Sequence, residues 1–258
     1  MDEICDDLAA EHQALDDVVA GLDEEQWRLP TPAEGWDVAD TIVHLIQADV
    51  AARIAVTEPD EFIAARSRVM DDGLGGVFGD RGDRSGHDIL TWWRAERGLM
   101  LAAFRSCGPK DRIPWFGPDM SALSFATARL METWSHGQDV ADAVGAPWPV
   151  TDRLRHVAHI AVSTRGWSYV NRGLTPPDEP VRVELTAPSG AVWTWGPDDA
   201  ASRVSGSAVE LCLVATQRRH RDDTDLIATP GAAEEWLSLA QAFAGPATDV
   251  QADRRRDG

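Results

Sequence analysis

The sequence predicts an α+β protein, with a helical domain over residues 1–175 and a small α/β domain over 178–246. Three observations lead there. Apolar residues recur at helical spacing through most of the first 170 positions. The character changes after Pro176-Pro177. Beyond that point VRVELTA at 181–187 alternates in strand fashion before helical spacing returns.

Each element has its own signal. Residues 2–22 place Ile4, Leu8, Leu15, Val18, Val19 and Leu22 on one helical face. Pro30, Pro32 and Gly35 then mark a turn. Asp37 is positioned as the N-cap of a helix over 37–57, where its carboxylate can accept from an unpaired backbone N–H. Val38, Ile42, Leu45 and Ile46 form that helix's core stripe, and His44 lies beside it. A short helix is expected over 59–69. The glycine- and charge-rich stretch DDGLGGVFGDRGDRSG at 71–86 reads as a long mobile loop. It is no phosphate-binding loop, since no GK[ST] follows and no strand precedes it.

A third long helix is expected over 87–106, with Trp92, Trp93, Leu99 and Phe104. A connection follows over 107–118, rich in glycine and proline. A fourth helix spans 120–144 and stops at Gly145 and Pro147. A fifth spans 151–172, capped by Thr151. Strands at 181–187 and 191–195 flank Pro188-Ser189-Gly190 as a hairpin. A helix at 206–217, a short strand at 225–228 and a helix at 231–244 complete the second domain. The tail over 247–258, ending QADRRRDG, is expected to be disordered. No repeat of period 20–50 is present.

Composition narrows the function. The chain's 258 residues can bury one large core or two smaller ones. No apolar run approaches the roughly 18 residues of a membrane span. The opening MDEICDD lacks the basic and apolar regions of a secretory signal, so a cytoplasmic protein is expected. Cys5, Cys107 and Cys212 are odd in number and without CxxC spacing, which fits free thiols in a reducing compartment. A net charge of -19 repels phosphate backbones, so nucleic acid is not an expected partner. Lys110 is the one lysine among 24 basic residues, an arginine bias that suggests a GC-rich genome.

One constellation carries chemistry. Glu132 and His136 are four residues apart on an expected helix, on one face and one turn apart. His44 lies near the core-facing stripe of another long helix and can supply a third group, as in metal sites built between facing helices. Two imidazoles and a carboxylate suit zinc or another first-row divalent ion, with a coordination position left open. An E-x-x-x-H pair is also frequent by chance, and spacing alone leaves a hydrogen-bonded core histidine as the competing reading. His156 and His159, three apart on one helix, are a weaker candidate for a second site. Trp36 reads as a packing anchor. Trp92, Trp93 and Trp134 read as core, though Trp134 lies between the two candidate ligands and could wall a pocket.

The words around these residues say more. TPAEGWDVADTIVHL at 31–45 and ETWSHGQDVADAVG at 132–145 resemble the two signature segments of the DinB-like metal proteins. More closely, they resemble those of the mycothiol-dependent maleylpyruvate isomerase family. The resemblance is strong in those segments and looser over nearly all the rest. It implies an antiparallel four-helix bundle with an extra helix and an appended small α/β domain. It also implies a divalent metal, zinc by preference, on His44, Glu132 and His136. Asp139, three residues after His136 on the same side of the helix, reads either as the acceptor that orients an imidazole or as a solvated helix aspartate. Arg218 or Arg219 is implied as the partner of a substrate carboxylate.

The activity implied is that of an isomerase or S-transferase. Mycothiol is its implied co-substrate, a small electrophile its substrate and an actinobacterium its source. Two alternatives stand beside it. One is a metal-binding protein without catalysis that holds a small acidic ligand. The other is a non-haem iron enzyme like the sulfoxide synthases of thiohistidine biosynthesis. Those carry H-x-x-x-H-x-E, where this chain has Glu132 and Gln138. The electrophile and the oligomeric state are not readable from the sequence.

Overall fold

A computed structural model describes residues 1–248 of the protein, which form two compact units divided at Pro149 and Val150. The fold mixes helices with small sheets. The expected disorder of 247–258 falls, from 249 onward, outside the described residues.

The first unit comprises α1 (Asp2–Val19), α2 (Val38–Thr57), α3 (Pro59–Phe78), α4 (Gly86–Arg105) and α5 (Ala122–Val144). A two-stranded ribbon, β1 (Arg112–Ile113) with β2 (Met120–Ser121), precedes α5. Helices α1 and α2 each pack against both α4 and α5, and α3 lies against α2. The starts are written in the sequence. Asp37 accepts from the backbone N–H of Asp40, whose carboxylate accepts from that of Asp37, so a reciprocal cap opens α2. Arg81 donates to both carboxylates, at 2.9 and 2.7 Å. Ser85 and Asp88 cap α4 in the same way, and Ser121 caps α5. Gly145 ends α5 in the left-handed region that glycine enters without steric cost.

Three expectations for this unit are corrected. The segment 71–86 is not one long loop: α3 runs to Phe78, interrupted at Gly73 (φ +69, ψ 171). Phe78 is buried and stacked on Phe62, and burying that ring, worth about 1.5–3 kcal/mol, offsets much of the roughly 1 kcal/mol per glycine that opposes helix. The connection 107–118 contributes the strand β1. Trp92 is half-buried beneath the guanidinium of Arg84 rather than in the core, whereas Trp93 and Trp134 are fully buried.

The second unit begins earlier than the change in composition. The expected fifth helix is two helices, α6 (Leu154–Ser163) and α7 (Arg165–Val170), broken at Thr164. It starts at Leu154, so Thr151 is not its N-cap. Helix α6 packs on α8 (Ala208–Ala215) and α7 on α9 (Ala232–Leu239), which draws both into the α/β unit. The division therefore falls at 149/150 and not at 175. The sheet has the order β4-β3-β5-β6, from β3 (Val181–Thr186), β4 (Val192–Trp195), β5 (Ser202–Ser207) and β6 (Ile227–Ala228). The hairpin is as expected, with Leu185 opposite Trp193. The strand β5 was not expected. It pairs parallel to β3, setting Val204 beside Val183, both fully buried.

Candidate metal centre

The turn ahead of α2 is held by its own backbone. Thr31 N donates to Trp36 O at 2.9 Å and Trp36 N to Ala33 O at 3.1 Å, with Gly35 at φ +79 between them. This fixes Trp36 one residue before the cap, and His44 follows on the second turn of α2. Glu132 and His136 lie one turn apart on α5.

The three side chains converge. His44 Nε2 lies 3.8 Å from Glu132 Oε2, and His136 Nε2 lies 3.6 Å from the same oxygen. Each offers a ligand atom within 4.8 Å of the others. The two histidine–carboxylate separations exceed hydrogen-bond reach. Donors sharing one ion at about 2.0–2.1 Å in a tetrahedron stand roughly 3.3 Å apart, so closure onto a zinc-sized ion requires only small movements. Two imidazole nitrogens and a carboxylate oxygen fit a first-row divalent ion.

The surroundings prepare the groups. Burial pushes the His44 imidazole down, toward its neutral, lone-pair form. Burial alone would raise the carboxyl of Glu132, but the imidazoles of His136 and His44 beside it hold it well below the usual carboxylate range. His136 Nδ1 lies 3.1 Å from Asp139 Oδ2. Where Asp139 accepts from Nδ1–H, Nε2 is left as the ring's ligand atom.

The site is walled but not sealed. His44 and Glu132 keep 22% and 25% side-chain exposure, and His136 keeps 11%. The Trp36 indole packs 4.9 Å from the His44 ring and 5.8 Å from the His136 ring, nearly parallel to the latter. Reading Trp36 as an anchor for the helix start missed this placement. Its signal was its position within the same segment as His44.

The structure thus brings together His44, Glu132, His136 and Asp139. Arg218 and Arg219 belong to the second unit, just beyond α8. Gln217 there takes φ +62, and the backbone N–H of Arg218 donates to Leu213 O at 2.8 Å. His159 is exposed and accepts from Trp195 Nε1 at 3.3 Å. Among the described residues no second set of three His, Cys, Asp or Glu groups comes as close as the first, so a site on His156 and His159 gains no support. No described helix is long and apolar enough to cross a membrane.

Comparison with known proteins bears on the same residues. Positions 8–141 match the mycothiol maleylpyruvate isomerase N-terminal domain family. Positions 177–229 match a family described as wyosine base formation. An uncharacterised protein of Mycobacterium tuberculosis is 46% identical over 243 residues, 93% of this chain and 95% of its own. It is found in strains CDC 1551 / Oshkosh and ATCC 25618 / H37Rv. The crystal structure of the mycothiol-dependent maleylpyruvate isomerase has a TM-score of 0.59 at 16% identity, covering 89% of this chain and 93% of its own. A histidine-to-alanine mutant of that enzyme gives 0.56 at the same coverage. At such identity the likeness is one of fold.

Proposed function

Because the chain belongs to the mycothiol maleylpyruvate isomerase N-terminal domain family, we propose that it is a metal-dependent enzyme. It uses a small-molecule thiol, mycothiol by family, to isomerise or S-conjugate a small electrophile. The observation that carries the proposal is the convergence of His44 and Glu132 with His136 from two helices. Zinc is the proposed ion. A divalent ion held there supplies Lewis acidity, lowering the pKa of a thiol at its open position.

The chain's own residues do the rest. Asp139 holds the proton on His136 Nδ1 and so keeps Nε2 available. Trp36 covers both imidazoles and limits water on that side. Arg218 and Arg219 are proposed, from the family, as partners of a substrate carboxylate. The sulfur has to come from outside. Burial raises the thiols of Cys5, Cys107 and Cys212 above their ordinary value, and a thiol is a poor nucleophile. In the proposed reaction the external thiolate forms a C–S bond as an alkene π bond opens. Rotation and loss of the thiolate restore the alkene in its other geometry, whereas protonation of the carbanion leaves the S-conjugate. The three free cysteines suit a reducing compartment, and the cytoplasm is proposed.

The partial match to the wyosine family does not favour RNA as a partner, since a net charge of -19 opposes it. Two measurements test the proposal. Elemental analysis of the purified protein is expected to find about one divalent ion per chain, lost in His44→Ala and in His136→Ala. Mycothiol with a panel of activated alkenes and epoxides is expected to give turnover. Undiminished metal in both variants overturns the site. Metal without turnover across the panel replaces the enzyme with a metal-dependent binder.

A further inference from the structure

The two helices that carry the candidate ligands are joined, one turn away from those ligands, by a buried ion pair. Asp49 of α2 is 0% exposed and Arg129 of α5 is 3% exposed. Arg129 donates to Asp49 Oδ1 from Nη2 at 2.9 Å and from Nε at 3.2 Å. The same Nη2 lies 3.5 Å from the backbone oxygen of Leu45, the neighbour of His44. On α5, Arg129 precedes Glu132 by three residues and His136 by seven, so the three share a face.

Such a pair is poorly explained by stability. Taking two charges out of water costs several kcal/mol, and well-packed apolar residues often serve as well or better. The pair also leaves part of the carboxylate unused, since Asp49 Oδ2 is not bonded to Arg129 and the buried Trp93 side chain faces Asp49 instead. What the pair does provide is a directional link between α2 and α5. Glu132 and His136 hold their spacing by lying on one helix. His44 is the only ligand of the set on α2, so its distance from the other two depends on how α2 is set against α5. Apolar contacts allow two helices to slide. A guanidinium held on one carboxylate oxygen and close to a backbone carbonyl restricts that sliding, and metal sites need their ligands placed within about 0.5 Å.

We propose that Arg129 and Asp49 are positioning residues for the metal centre, their ion pair setting the register at which His44 meets Glu132 and His136. This rests on the metal reading of that triad. The test uses the full chain. Zinc affinity is measured by competition with a chromophoric chelator, cobalt(II) absorption reports coordination geometry, and thermal unfolding is followed without metal. Two variants are compared with wild type: Arg129→Lys, which keeps the charge but not the fork, and the apolar pair Arg129→Met with Asp49→Leu. The apolar pair is expected to unfold near the wild-type temperature yet bind zinc at least about tenfold more weakly, with an altered cobalt spectrum. Arg129→Lys is expected to weaken zinc binding in the same direction. Wild-type zinc affinity and cobalt spectra in every variant that folds overturn the positioning role. A folded wild-type chain that takes up no metal overturns the triad reading, and this inference with it.

Discussion

His136 Nδ1 lies 3.1 Å from Asp139 Oδ2, three residues further along the same helix. Both side chains are buried, and a carboxylate that accepts there sets the proton on Nδ1. Replacing Asp139 with Asn keeps the size but offers an amide that can present either oxygen or N–H, so the tautomer is no longer enforced. Asp139→Asn is expected to weaken zinc binding about 10- to 100-fold with an unchanged circular dichroism spectrum. Chelator competition measures it, and an unaltered Kd removes Asp139 from the site.

Glu132 supplies the only negative charge of the triad. Glu132→Gln retains shape and one acceptor oxygen but removes the charge. It is expected to bind less than about a tenth of the wild-type zinc at equal free metal, the lower end of what loss of a supporting group alone produces. Elemental analysis after dialysis against buffered zinc decides the point.

Gly137, next to His136, carries the indole of Trp148 on its bare backbone. A Cβ there would lie 2.2 Å from that ring. Gly137→Ala therefore forces Trp148 away, although alanine is the better helix former. The expected cost is about 1–3 kcal/mol, read as a lower urea midpoint. Adding Trp148→Ala is expected to cancel most of it, and additive effects would show that the two do not meet.

Asp16 on α1 accepts from Arg94 and Arg97 of α4, each at 2.6 Å. Arg94 chiefly, with Arg97, holds its carboxyl below the ordinary value against the effect of burial. The unfolded chain therefore takes up this proton first. The stabilisation is complete above the unfolded carboxylate pKa of about 3.9 and drains away as pH falls toward the folded value. Asp16→Asn is expected to cost about 1–2 kcal/mol at pH 7 and to flatten the loss of stability below pH 4. Urea titrations at several pH values check both.

The parts of this fold legible in the sequence were those set by local chemistry. Asp37 with Asp40 announced the start of α2, and Gly145 the end of α5. The four-residue spacing of Glu132 and His136, with the segments around them and His44, led to the triad that the structure brings together. What escaped depends on tertiary contacts. Gly73, Gly75 and Gly76 argue for a loop, and only the burial of Phe78 against Phe62 explains why helix persists there. SRVSGS at 202–207 has too little apolar character to declare a strand, yet between β3 and β6 its backbone groups find partners on both sides. Thr164 gives no sign of breaking a helix. The proline pair at 176–177 marks a change in composition but not the domain boundary, because α6 and α7 bury their faces against α8 and α9.

The distribution of the triad over two helices has a consequence for how the protein assembles. Glu132 and His136 form a half-site as soon as one turn of α5 is helical, a local event on the microsecond scale or faster. His44 joins from far away in the chain, after α2 has docked. On the proposed metal reading, an ion caught by the half-site and then closed by His44 would act as a reversible cross-link over a very long loop. It would favour the folded state by mass action wherever free metal exceeds the dissociation constant. Metal supply would then govern the lifetime of this unit in the cell as well as its chemistry.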